Sequence, residues 1–139
     1  MEERNKIVIS SKTKNLAEVR EFVQNTIGKY CCKQDVINKI VLSVDEACTN
    51  IIKYSHKYNN SKSIEIIIDR YNNSLVIDFY YEGLEFNPDS VQLTDMNKYM
   101  AEHRVGGLGI QLIKKFMNKI EYEYKIPNIN HLKLIKNLD

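Results

Sequence analysis

The chain has 139 residues, 43% of them apolar and 27% charged, with a formal net charge of +2, a length and mix that suit one soluble globular domain with its own core. Lysine and glutamate are interleaved and no basic helix or stripe stands out, which argues against nucleic acid or an anionic membrane as the partner. The start, Met1-Glu2-Glu3-Arg4-Asn5-Lys6, lacks the basic-then-apolar order of a signal peptide, and no apolar run nears the ~20 residues of a membrane span, so a cytoplasmic location is expected.

Lys6 to Ser11 alternates as a first strand, and Ser10-Ser11-Lys12-Thr13 turns into a helix predicted over about Leu16 to Ile27. Leu16, Val19, Phe22, Val23 and Ile27 share its buried face, with Gly28 just past its end and Arg20 and Glu21 outward. Asp35 then offers an N-cap to a long helix reaching about His56. Ile37, Ile40, Val41, Val44, Cys48, Ile51 and Ile52 recur at spacings of three and four along it.

Glu46 and Asn50 fall off that stripe and, four apart, stand one above the other. A carboxylate that takes a proton beside an amide oxygen that holds a hard cation such as Mg2+ suits phosphoryl transfer. The same pair also occurs on many solvated helix faces. Cys31, Cys32 and Cys48 form no CxxC and read as reduced thiols, and His56, His103 and His131 lie apart from zinc-site spacings, so surface or structural roles are expected for them.

After the polar turn Lys57 to Ser61 the period switches to two. Ser63–Arg70 and Ser74–Tyr81 read as an antiparallel hairpin at the sheet's centre. From Glu82 to Gly106 the pattern is irregular, and a loop that long inside a compact domain is usually functional or mobile. Val105-Gly106-Gly107-Leu108-Gly109-Ile110 then runs into Leu112, Ile113, Phe116 and Met117 at helical spacing. Bare backbone N–H groups at such a helix start can approach phosphate oxygens, though the spacing is neither a P-loop nor a dinucleotide fingerprint and a tight structural entry explains it equally. Ile120, Tyr122, Tyr124 and Ile126 alternate with Glu121, Glu123 and Lys125, so the tyrosines belong to a half-buried strand and not to a base-stacking platform; Pro127 and Asn128 turn the chain into a closing strand, Leu132–Leu138.

Taken in order, Asp45-Glu46-Ala47-Cys48-Thr49-Asn50, Gly83-Leu84-Glu85-Phe86-Asn87-Pro88 and Gly106-Gly107-Leu108-Gly109-Ile110 resemble the small ATP-binding domains of the GHKL (histidine kinase-like ATPase) superfamily, and within it the anti-sigma-factor serine kinases. The resemblance spans nearly the whole chain. It implies an α+β two-layer sandwich, with helices on one face of a mixed, mostly antiparallel sheet, and ATP with Mg2+ as ligands. It implies that Glu46 is the general base toward a serine hydroxyl and that Asn50 ligates the Mg2+. By the same resemblance Gly83, Gly106, Gly107 and Gly109 belong to the nucleotide site, residues 84–105 form a lid, and Arg104 is a candidate phosphate contact. The implied partners are a sigma factor and an anti-anti-sigma protein, with the chain acting as a homodimer.

Two positions depart from the family pattern. The family's adenine-reading aspartate is Tyr81 here, and a threonine expected early in the last strand is replaced by Asn130-His131, with His131 taken as the base-edge residue. Loss of a hydrogen-bonded charged partner costs roughly 1.5–3 kcal/mol, and a bulkier phenol can fill the base pocket. Two functions therefore stand side by side: an active ATP-dependent kinase, and a regulator that binds its protein partners with little or no nucleotide. Outward Arg20 marks the first helix as a place for a protein contact, or as an ordinary solvated face.

Overall fold

A computed structural model describes residues 5–30, 33–85 and 107–138. Its strands are β1 (Asn5–Ser10), β2 (Ser63–Tyr71), β3 (Ser74–Glu82), β4 (Lys119–Lys125) and β5 (Ile129–Asn137). They form a five-stranded sheet in the order β1-β2-β3-β5-β4. All the pairings among these strands are antiparallel, where the resemblance left room for a mixed sheet. The β2–β3 hairpin closes through Asn72 and Asn73, and Asn72 takes the left-handed conformation (φ 54°) that asparagine tolerates in tight hairpin turns.

Helix α1 (Leu16–Ile27) has the predicted bounds, α2 (Gln34–Asn50) carries the long apolar stripe, and α3 (Gly107–Phe116) follows the glycines. Asp35 is not the N-cap of α2: Lys33 holds that position, and Asp35 sits in the first turn, where its charge suits the positive end of the helix dipole. The helix also does not run as α-helix to His56. After Asn50 it widens into a π-helical turn, Ile51–Ser55, with the His56 N–H bonded to the Ile51 carbonyl at 2.9 Å. Ile51, Ile52, Ser55 and His56 are all buried across this turn.

The helices cover one face of the sheet. Ile64, Ile66, Ile68, Leu75, Ile77, Phe79, Leu132 and Leu134 alternate inward and join Val19, Val23, Ile27, Ile40, Val44, Ile52 and Ile113 in one core. Residues of the opposite parity, such as Glu65, Ile67, Asp78, Tyr80 and His131, form the outer face. Two layers meeting over one apolar interface is the α+β sandwich the element order implies. On β4 the burial alternates with Tyr122 and Tyr124 half-buried as predicted, but Ile126 lies past the strand and is 88% exposed.

Candidate functional site

The C-terminal half of α2 places Glu46 and Asn50 one turn apart on the same side, with Asp45 next to Glu46 in the chain. Asn50, the last residue of α2, is 1% exposed, and neither its amide oxygen nor its amide nitrogen has a hydrogen-bond partner among the described residues. Each buried polar group left unmatched costs about 1–3 kcal/mol, a cost that a hard cation or an oxygen-rich ligand relieves. One turn earlier Glu46 is partly exposed. Burial, and then the charge of Asp45, raise its carboxyl above the ordinary glutamate value, while Lys53 pulls it back. Asp45 is itself held from α1, where Arg20 Nη1 donates to its Oδ1 at 2.7 Å.

Helix α3 packs beside α2, with Lys39 Nζ 5.9 Å from the ring centre of Phe116. Phe116 ends α3 and Lys39 lies near the start of α2, so α3 runs back along its neighbour. Ten residues at ~1.5 Å rise cover about the span from Lys39 to Asn50, which brings the N-terminal backbone of α3, at Gly107 and Gly109, to the Glu46–Asn50 end of α2. The first turn of α3 carries N–H groups without intrahelical partners and the positive end of the helix dipole.

The sheet side of this region is built differently. Tyr81 near the end of β3 is 4% exposed and joins the core, its ring set edge-on to His56 at 5.9 Å and 80°. Its hydroxyl has no partner among the described residues, and burial pushes its ionisation up. His56 is also buried, with Nδ1 2.8 Å from Ser11 Oγ. Asn130, opposite Tyr81 on β5, is fully buried and fully engaged. Its Nδ2 donates to the carbonyls of Gly83 (3.1 Å), Tyr81 (3.4 Å) and Asn128 (3.5 Å), and its Oδ1 accepts from the Tyr122 hydroxyl.

Gly83 is sewn into the same corner. Its N–H donates to the Asn128 carbonyl at 2.8 Å, and the next residue, Leu84, exchanges two hydrogen bonds with Ser55: Leu84 N–H to Ser55 O at 3.0 Å and Ser55 Oγ to Leu84 O at 2.7 Å. A Cβ at Gly83 would lie 2.5 Å from Ser55 Oγ and 2.9 Å from the Ser55 carbonyl oxygen, so glycine is required by close approach.

His131 does not belong with these residues. It pairs with Tyr80, stacks on that ring at 4.3 Å and meets Asp78 Oδ1 through Nε2 at 2.7 Å, all on the outer face of the sheet. The residue turned inward at the base edge is Asn130. The signal was available in the strand's alternation, since Asn130 shares parity with Leu132 and Leu134 and His131 shares it with Lys133. Arg104, Gly106 and all but the first two residues of the expected lid lie outside the described residues.

A family model described as the histidine kinase-like ATPase domain matches residues 9–136. The chain belongs to this family. Among curated relatives, the serine-protein kinase RsbW of Halalkalibacterium halodurans is 26% identical over 119 residues, covering 83% of this chain and 72% of that protein. The serine-protein kinase RsbW of Bacillus subtilis is 28% identical over 94 residues, covering 64% of this chain and 58% of that protein. A chain in the crystal structure of the SiaB-SiaC complex from Pseudomonas aeruginosa superposes with a TM-score of 0.66 at 13% identity, covering 94% of this chain and 87% of that one. That likeness carries the fold.

Within this histidine kinase-like domain the two ends of the candidate site differ in fit. At the candidate phosphate and metal end, Asn50 presents a buried amide with no hydrogen-bond partner among the described residues and Glu46 stands one turn away, a donor set that suits a hydrated divalent cation. At the candidate base end Tyr81 fills interior volume and Asn130 spends its amide on backbone carbonyls, so neither reads a purine as a carboxylate would. No described helix is long and apolar enough to cross a membrane.

Proposed function

We propose that this chain is a partner-switching regulator of the anti-sigma type that transfers a phosphoryl group from ATP-Mg to a serine of an anti-anti-sigma protein. The observation that carries the reading is the buried amide of Asn50, without a hydrogen-bond partner among the described residues and one helical turn from Glu46. The relatives named as serine-protein kinases support it. In this reading Asn50 holds the Mg2+ through its amide oxygen, and the N–H groups at the start of α3 receive phosphate oxygens. Glu46 takes the proton of the attacking serine hydroxyl, and a carboxyl raised above its usual range is the better base. When bound, ATP-Mg supplies the phosphoryl group. The protein's own work is positioning and charge placement, with little covalent chemistry. The homodimer implied by the family is part of the same reading.

A specific observation favours a second reading, in which the domain regulates by protein binding alone. Tyr81 is packed into the core where a base-reading carboxylate would stand. Calorimetric titration with ATP and ADP in the presence of Mg2+ separates the two. Micromolar binding supports the kinase reading, and silence to millimolar concentrations supports binding alone. Tyr81→Asp is expected to create or strengthen nucleotide binding by about one to two decades, the worth of a charge-assisted hydrogen bond. Glu46→Gln is expected to abolish phosphate transfer to the partner while leaving nucleotide affinity within a few-fold, and unchanged transfer would remove Glu46 from the base role.

A further inference from the structure

A cavity of about 460 Å3 opens on the outer face of the sheet, within the range of about 300–1,000 Å3 usual for small-molecule sites. Strand register lays out its floor. Glu65 stands opposite Val8 on one side and Tyr80 on the other, and Glu82, two residues on from Tyr80, stands opposite Ile129. Val8 (53% exposed) and Ile129 (48%) are apolar groups that gain by being covered. His131 stacks on one face of the Tyr80 ring at 4.3 Å, and in the strand order Glu65 lies on the other side of that ring. The charges on this face are divided. Glu65, Asp69, Asp78 and Glu82 stand against Lys6 alone on the β1-β2-β3 half, whereas Lys119, Lys125 and Lys133 outnumber Glu121 and Glu123 on the β5-β4 half, which also carries His131. The cavity lies on the acidic half, and Lys62 is the one cation among its described lining residues. Asp78 is already held by His131 at 2.7 Å and by Lys133 at 3.9 Å. Half-buried Glu65 and exposed Glu82 have no side-chain hydrogen bond or ion pair among the described residues.

We propose that this cavity binds a small organic cation, an alkylammonium or alkylguanidinium group, with its charged head between the Glu65 carboxylate and the Tyr80 ring and within reach of Glu82. Three features of the lining act together. A carboxylate without a partner gives a charge-assisted hydrogen bond to such a head and recovers what its partial burial costs. The face of a tyrosine ring attracts a cation within about 6 Å of its centre. The alkyl stem covers Val8 and Ile129 while its head stays at the carboxylates, the division of labour that long basic side chains show on protein surfaces. An anion of the same size meets the field of the acidic half, and a neutral alcohol gains the apolar contacts alone. A free amine and a basic side chain of a protein both present such a head, and the chemistry that holds it is the same.

No nucleotide is needed for the test, so its result is independent of the kinase reading. The full chain, labelled with 15N, is titrated at low salt with n-butylammonium and N-butylguanidinium, and with n-butanol and butyrate as neutral and anionic counterparts. The two cations should shift the amide signals of Glu65, Tyr80, Glu82 and Ile129 with millimolar affinity, and the counterparts should not. Glu65→Gln and Glu82→Gln should each weaken cation binding by about tenfold, the worth of one charge-assisted hydrogen bond, and Tyr80→Leu by about fivefold. Glu123→Gln, which removes an acid of the same face outside this cavity, should leave binding unchanged. A blocked tripeptide with arginine at its centre, set against butane-1,4-diamine, separates the two sources of the head: the tighter binder names a protein side chain or a free amine. Silence of both cations to about 100 mM, an equal response to butanol or butyrate, full affinity in both glutamine variants of Glu65 and Glu82, or an equal loss in Glu123→Gln would each overturn the site.

Discussion

At the scale of single residues, Asn50 and His56 show how burial turns polar side chains into statements about function or stability. Asn50 gains nothing from its position in the described protein, since its amide is desolvated and unmatched, whereas His56 has a partner in Ser11 and closes the core against Tyr81. Burial is the main cause that lowers the basicity of His56; the Glu82 backbone raises it and Lys62 lowers it. The unfolded chain therefore takes up that proton more readily than the folded one. Above the ordinary value of 6.5 both states are neutral at this site, and stability falls as pH drops through that value toward the lower folded one. Urea unfolding at about pH 7.5 and about pH 5.5 should show a larger loss of stability for the wild type than for His56→Asn. Equal losses would mean that His56 is not the group responsible.

At the scale of elements, the corner made by Ser55, Gly83, Asn128 and Asn130 ties the π-helical turn, the end of β3 and the β4–β5 turn to one another. Gly83→Ala forces a methyl group against the Ser55 carbonyl and should destabilise by about 1–3 kcal/mol, the usual cost of overpacking. The urea midpoint would report it, and Ser55→Ala should not rescue it, because the backbone oxygen at 2.9 Å stays in place. How much of this was legible differs by element. Leu16–Ile27 and the β2–β3 hairpin could be read from apolar spacing because each buries one regular face. The π turn could not, because Ile51, Ile52, Ser55 and His56 satisfy a helical pattern under either winding. The Glu46–Asn50 pair was legible from i, i+4 spacing, but the burial of Asn50 was not, since that depends on what packs over the end of α2.

At the scale of the whole molecule, β3 is the strand on which the fold depends. It is flanked on both sides, by β2 and β5, and its inward residues Leu75, Ile77 and Phe79 are fully buried beneath the helices. Phe79→Ala should cost about 3–5 kcal/mol, a large part of the 5–15 kcal/mol by which domains are typically stable (about 10 at mid-range). Chemical denaturation should show this as a lowered midpoint with an unchanged slope. A small shift would mean that the neighbouring Ile66 and Leu132 collapse into the space.

By itself the sequence determined the elements, their order and the family pattern, because hydrophobic period and ordered motifs are local properties of the chain. It also carried the departure at Tyr81, which is a matter of residue identity. Only the tertiary structure decided that Tyr81 lies inside the core, that Asn50 is buried at the end of α2, and that the outer face divides its charge between two halves. Those facts depend on strand register and on which face the helices cover, and both are set by contacts between residues far apart in the chain.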